Sequence, residues 1–218
     1  MRKLKIGTLR IDIKRANTVF RGFIAETLFE SLLKHSTADI IAGTLMWNGI
    51  GISKWPHRYR VCRVDRLMWI VHRRAIQSIQ SMHEWEEWKE AKSTKVTEVL
   101  KEILKEAHSG ISSSTRWMSD ELLVLAILKP EDLDLLKDIY MRGGGANWPF
   151  DFIVIDEKRN KYYLVEVKSV FTSDDRAVSL TKNQRIIAEK AKKLGWNVLV
   201  VVFRFLNDWQ IKIDTYIL

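Results

Sequence analysis

The chain has 218 residues, of which 46% are hydrophobic, enough to bury a sizeable core in one or two domains. Lys and Arg outnumber Asp and Glu by 36 to 27, a formal charge of +9, so the surface should attract polyanions, nucleic acid foremost. Cys62 is the single cysteine, which excludes an intrachain disulfide, a multi-cysteine zinc site and a four-cysteine iron–sulfur cluster, and fits an intracellular, reducing compartment.

Residues 1–21 carry charge every two or three positions and lack the apolar core of a signal peptide. The longest uninterrupted apolar runs, 122–128 and 198–203, are far too short to cross a bilayer, so a soluble protein with no membrane partner is expected.

Residues 9–13 alternate apolar and polar and read as a short strand. Asn17 or Thr18 caps a predicted helix over 19–35, with Phe20, Phe23, Ile24, Leu28, Leu32 and Leu33 as its apolar stripe. Residues 40–47 read as a strand, and Gly49, Gly51 and Pro56 mark a loop. The densest basic stretch follows at 57–74, where Arg58, Arg60, Arg63, Arg66, Arg73 and Arg74 are interleaved with Tyr59 and Trp69. Arginine with aromatics is a composition that holds phosphates and stacks on bases. A solvated basic face of an ordinary element accounts for it equally well, and the pattern does not separate helix from strand here.

From 84 to 108 the period becomes helical, with Trp85, Trp88, Val96, Val99, Leu100, Ile103, Leu104 and Ala107 on one face, as core rather than a ligand box. Helices over 119–128 and 130–140 follow, with Pro130 suited to a first turn. Gly143-Gly144-Gly145 either lets the backbone approach a ligand closely or serves as a hinge. Strands then surround a polar turn at 156–161, and residues 173–179 form a polar loop. A helix opening at Thr181 stops at Gly195, and strands are predicted over 197–205 and 210–216. This order of strand, strand, helix and strand argues for an α/β protein with a mixed sheet.

The chemistry concentrates in those strands. Asp151 lies in Pro149-Phe150-Asp151-Phe152-Ile153-Val154-Ile155, and Glu166-Val167-Lys168 ends the run Tyr162-Tyr163-Leu164-Val165. Charges inside apolar strands are costly to bury without compensation. A turn centred on Lys158 and Arg159 pairs Asp151 with Glu166 across the hairpin, with Cβ atoms roughly 4.5–5.5 Å apart. Lys168 shares the face of Glu166, because side chains alternate. Two carboxylates so placed repel unless one is protonated or a cation bridges them, and oxygen ligands suit Mg²⁺ or Mn²⁺. The alternative is an exposed hairpin with a surface ion-pair cluster of little consequence.

Asp151, Glu166-x-Lys168 and then Gln184 at the start of the next helix resemble the PD-(D/E)xK nuclease superfamily, in particular its archaeal Holliday-junction resolvase branch. Arg21-Gly22-x-x-x-Glu26 followed by Leu32-Leu33 is similar to that branch's Gly-x-x-x-Glu helix. The likeness covers about 10–47 and 143–205. Phe150 separates Pro149 from Asp151 where the family has them adjacent, and close to a hundred residues intervene before the aspartate strand. The resemblance implies a restriction-endonuclease-like fold, a mixed central sheet flanked by helices, with a nuclease core of 1–47 and 143–218. Residues 48–142 would be a largely helical insertion with a basic start. It also implies a Mg²⁺-dependent (or Mn²⁺-dependent) deoxyribonuclease, its catalytic set being Asp151, Glu166, Lys168, Gln184 and Glu26. The metal would be held by Asp151, Glu166, the carbonyl of Val167 and Glu26, and Lys168 would orient water or neutralise the phosphate.

Thr181 with Gln184 is also a capping-box signature that needs no active site, and Glu30 competes with Glu26 one turn along. Expected partners are double-stranded or branched DNA, contacted by Arg58, Arg60, Arg63, Arg66, Arg73, Arg74 and Lys182, and a second copy in a homodimer. The favoured subtype is a structure-specific endonuclease acting on branched DNA. A RecB-like exonuclease without an iron–sulfur cluster and a non-catalytic nucleic-acid-binding protein with a nuclease fold are the alternatives.

Overall fold

The computed structural model of the chain describes residues 18–34, 59–77, 79, 81–111, 120–143, 147–157, 159–171, 179–205 and 211–218. Helix α1 (Thr18–Lys34) precedes strand β1 (Tyr59–Arg63), which passes directly into α2 (Val64–Gln77). Helices α3 (Met82–Ile111) and α4 (Asp120–Ile127), a 3₁₀ turn (Pro130–Asp132) and α5 (Leu133–Arg142) follow. The chain then forms β2 (Phe152–Asp156) and β3 (Lys161–Val170), crosses through α6 (Lys182–Lys193) to β4 (Asn197–Phe205), and adds β5 (Ile211–Ile217).

The five strands lie in chain order across one sheet, antiparallel except for the parallel pair β3 and β4. A parallel pair needs a long crossover, which α6 supplies. The protein is therefore α/β, with a mixed sheet flanked by helices.

Alternation along the strands divides their side chains between two apolar layers. Tyr59, Val61, Phe152, Val154, Tyr163, Val165 and Val167 meet α1, whose Ala25, Phe29 and Leu33 recur at successive turns. Cys62, Ile153, Ile155, Tyr162 and Leu164 face the opposite layer, where Leu67, Val71, Leu100, Ile103, Leu135 and Ile187 come from α2, α3, α5 and α6. Burying each such aliphatic side chain contributes about 1.5–3 kcal/mol, so sheet and helices share one core on this side.

Several local signals shape the elements. Ser81 and Glu84 box the start of α3, each side chain bonding the other's backbone N–H at 3.2 and 2.8 Å. The expected face of that helix is the buried one, Trp88, Val96, Leu100, Ile103, Leu104 and Ala107. The β2–β3 turn is closed by the Arg159 N–H donating to Asp156 Oδ1 at 3.1 Å and by Asn160 in the left-handed region, φ 51°.

Other expectations change. Phe20 and Phe23 of α1 are exposed and its buried row runs through Ala25, Phe29 and Leu33. This helix is apolar on more than one side, and only contact with the sheet selects a face. Within 48–142 the described residues are helical from α2 to α5, but the basic start is a sheet strand. Strand β1 pairs antiparallel with β2 from Tyr59↔Asp156 to Arg63↔Phe152. Only five residues alternate before Val64 begins a helix, too few for either period to stand out. Gly143 is packed against the Trp148 ring, leaving no room for a Cβ, so its role is close packing. Gly144, Gly145, Arg58, the strands predicted at 9–13 and 40–47, and the loop glycines 49 and 51 lie outside the described residues. Among the described residues, no helix is long and apolar enough to cross a membrane.

Candidate active site

Strands β2 and β3 pair without slip from Phe152↔Val165 to Asp156↔Lys161, the register expected from a turn centred on Lys158 and Arg159. One residue beyond, the Asp151 N–H donates to the Val165 carbonyl at 3.0 Å and the Asp151 carbonyl accepts the Val64 N–H at 2.8 Å. The Asp151 carboxylate accepts the Val167 N–H through Oδ2 at 2.7 Å. Asp151 is thus fixed between the start of α2 and the strand that carries Glu166. A strand residue's N–H and C=O leave the chain on the same edge, so the Val167 carbonyl lies on the side of Asp151.

Burial pushes the Asp151 carboxyl well above the usual carboxylate range, and Glu26 and Asp65 push it further, against the Val167 N–H and the Arg63 guanidinium. Glu166 is raised first by burial and then by Asp151, while a hydrogen bond from Gln184 and the charge of Lys168 oppose the shift. Glu26 adds to the repulsion on Glu166. The pair cannot hold two negative charges cheaply, and a proton or a cation relieves it.

Gln184 forms the cap, and its side chain also acts on Glu166. Its Oε1 accepts the Thr181 N–H at 2.9 Å and its backbone N–H donates to Thr181 Oγ1 at 3.3 Å, a complete capping box on α6. With Oε1 so engaged, the amide nitrogen is the donor left to favour the ionised form of Glu166. The Lys168 ammonium donates to the Ser179 carbonyl, just before α6, and remains close enough to Glu166 to favour its ionised form.

Glu26 meets a partner that the sequence reading assigned elsewhere. Arg63 donates to Glu26 Oε2 at 2.5 Å and grips Asp65 through Nε and Nη2, both at 3.1 Å. Its Nη1 lies 3.8 Å from Glu30, and its guanidinium sits over the Phe152 ring, 5.4 Å from the centroid. The Arg63 side chain is only 13% exposed, so it braces carboxylates rather than facing solvent as a phosphate contact. Arg60 pairs with Glu157 and Arg74 with Glu106, both at 2.8 Å. Arg66 is mostly exposed and lies 3.4 Å from Glu30, and Arg73 and Lys182 are exposed.

Asp65 escaped the sequence reading, because an aspartate in the first turn of a helix is explained by the helix dipole alone. Among the described residues, no three His, Cys, Asp or Glu side chains already converge as a metal cage. Glu26 is turned to Arg63 instead. No protein-family model, curated protein or solved structure matches the chain.

Proposed function

We propose that the chain is a divalent-metal-dependent deoxyribonuclease with a restriction-endonuclease-like core, similar to the PD-(D/E)xK nucleases. The observation that carries this reading is the pair Asp151 and Glu166, two half-buried carboxyls each raised first by burial, with the charge of Asp151 raising Glu166 further and Lys168 beside Glu166. A surface ion-pair cluster is a poor account of it, because exposed carboxylates would not be pushed upward by burial.

The donor set fits a hard cation such as Mg²⁺ or Mn²⁺: Asp151, Glu166 and the Val167 carbonyl would hold it, with Glu26 in reach directly or through water. When bound, such an ion lowers the pKa of water and offsets charge on a phosphate. The chain's own residues supply position. Gln184 orients Glu166, the Val167 N–H orients Asp151, and Lys168 presents an ammonium to the attacking water or the scissile phosphate. The exposed basic residues Arg66, Arg73 and Lys182 and the net positive charge favour a polyanionic substrate. A dimeric enzyme acting on branched DNA is the favoured subtype.

The test is a panel of matched linear, nicked, flapped and four-way DNA incubated with and without Mg²⁺ or Mn²⁺. Metal-dependent cleavage lost in Asp151→Ala supports the reading. Intact DNA in every lane with either metal overturns it.

A further inference from the structure

Helix α2 begins at the catalytic pair, since the Val64 N–H bonds the Asp151 carbonyl at 2.8 Å. Its solvent face carries Arg66, Trp69 and Arg73, spaced three and four residues apart and therefore on one stripe. At 1.5 Å per residue the stripe extends about 10 Å away from the site, the length of two or three nucleotides of a strand.

Trp69 is 58% exposed. A single exposed aromatic is ordinary, but this one is backed and flanked. His72 lies against it, ring centroids 5.5 Å apart, and His72 Nδ1 is 2.8 Å from the Tyr140 hydroxyl. Tyr140 in turn lies 5.7 Å from Trp148, the ring that Gly143 accommodates, and Lys92 sits 5.4 Å over the Tyr140 ring. The indole thus stands on a row of packed rings. Of the acidic residues tied to β1 and α2, Asp65 is engaged by Arg63, Glu30 is shared between Arg63 and Arg66, and Glu106 belongs to Arg74. Arg73 has no acidic partner among the described residues. The stripe therefore carries Arg73 as a positive charge with no carboxylate against it, and Lys92 adds another over the Tyr140 ring that backs it.

An exposed indole between two guanidiniums fits a base that is not stacked in a duplex, with phosphates on either side. Double-stranded DNA presents no free base face to a flat ring. We infer that the Arg66–Trp69–Arg73 face of α2 binds an unpaired nucleotide strand next to the scissile phosphate, so that the substrate has a single-stranded or splayed segment beside the cut. This rests on the nuclease reading for the word "scissile" but on the stripe itself for binding.

The experiment is fluorescence anisotropy of the full chain in EDTA, with labelled blunt duplex and the same duplex bearing a single-stranded tail. The wild type is expected to bind the tailed DNA more tightly. Trp69→Ala should weaken tailed binding about tenfold and leave blunt binding unchanged, whereas Trp69→Phe should keep most of the affinity. Arg73→Gln should reduce the slope of log affinity against log salt by about one for both DNAs. Circular dichroism melting verifies that the variants fold, which an exposed position favours. Equal tailed binding by Trp69→Ala and wild type overturns the inference, as does a wild type that prefers blunt DNA. If Trp69→Ala loses tailed binding while no DNA is ever cleaved with metal, the surface stands and the nuclease reading falls.

Discussion

Gln184 favours the ionised form of Glu166 through the same side-chain amide whose oxygen caps the first turn of α6. The position of an acidic strand residue and the start of a helix are therefore set by one side chain. Thr181→Ala removes only the reciprocal half of the cap, whereas Gln184→Ala removes its own half and the amide that favours ionised Glu166. Each should cost about 1 kcal/mol of stability, read by chemical denaturation. Only Gln184→Ala should also lower metal-dependent cleavage, by about tenfold, because a freed Glu166 must be reoriented. Equal activity in the two variants would reduce Gln184 to a cap.

Asp151→Asn, Glu166→Gln and Lys168→Ala should each lower cleavage by about a hundredfold or more while the protein stays folded. The first two keep the shape and most hydrogen bonds, since an asparagine oxygen still accepts the Val167 N–H. They also remove a negative charge that partial burial disfavours. In the absence of metal, both should melt no lower than wild type near pH 8, and wild-type cleavage rates in any of the three would sink the assignment.

The raised carboxyls give a pH dependence with a definite sign. An unfolded chain releases these protons near pH 4, while the folded pair holds one or both to higher pH. Between those limits the native state binds more protons, so metal-free stability should fall as pH rises through that window. A cation binding the ionised pair reverses the loss. Saturating Mn²⁺ at about a hundred times its dissociation constant stabilises by about 2.7 kcal/mol, and the gain should shrink at acid pH, where protons compete. Thermal melts with and without Mn²⁺ at two pH values check this. A shift of equal size at both would mean that the metal binds elsewhere.

Much of the site was legible because it depends on local rules. A tight turn with a clear centre determines the register of β2 and β3, and a Thr followed three residues later by Gln specifies a helix start. The bracing of Glu26 was not legible, because it joins α1 to the end of β1 across 37 residues. Arg63 was one arginine among six in a basic run, and nothing in its neighbours distinguishes a guanidinium that turns inward over Phe152 from those that face water. The strand character of Tyr59–Arg63 was hidden for a related reason, since its partner β2 lies beyond four intervening helices. The buried row of α1 failed because an evenly apolar helix carries no preferred side until the sheet provides one.

Arg63 is the remaining point at which stability and metal binding should separate. Removing it in Arg63→Ala leaves Glu26 and Asp65 without their shared cation and takes a favourable charge from Asp151. Breaking a fully buried pair costs about 3–5 kcal/mol, but Glu26 and Asp65 stay partly exposed, so about 1–2 kcal/mol is expected. Arg63→Lys should recover little, because an ammonium cannot fork onto Asp65 while holding Glu26. If Arg63 positions Glu26 for the cation, Mn²⁺ affinity by calorimetry should fall about tenfold in Arg63→Ala. Glu26→Gln should produce a similar loss of affinity with a smaller loss of stability. An Arg63→Ala protein that is destabilised yet binds Mn²⁺ as tightly as wild type would confine Arg63 to bracing the fold, and Glu26 with it.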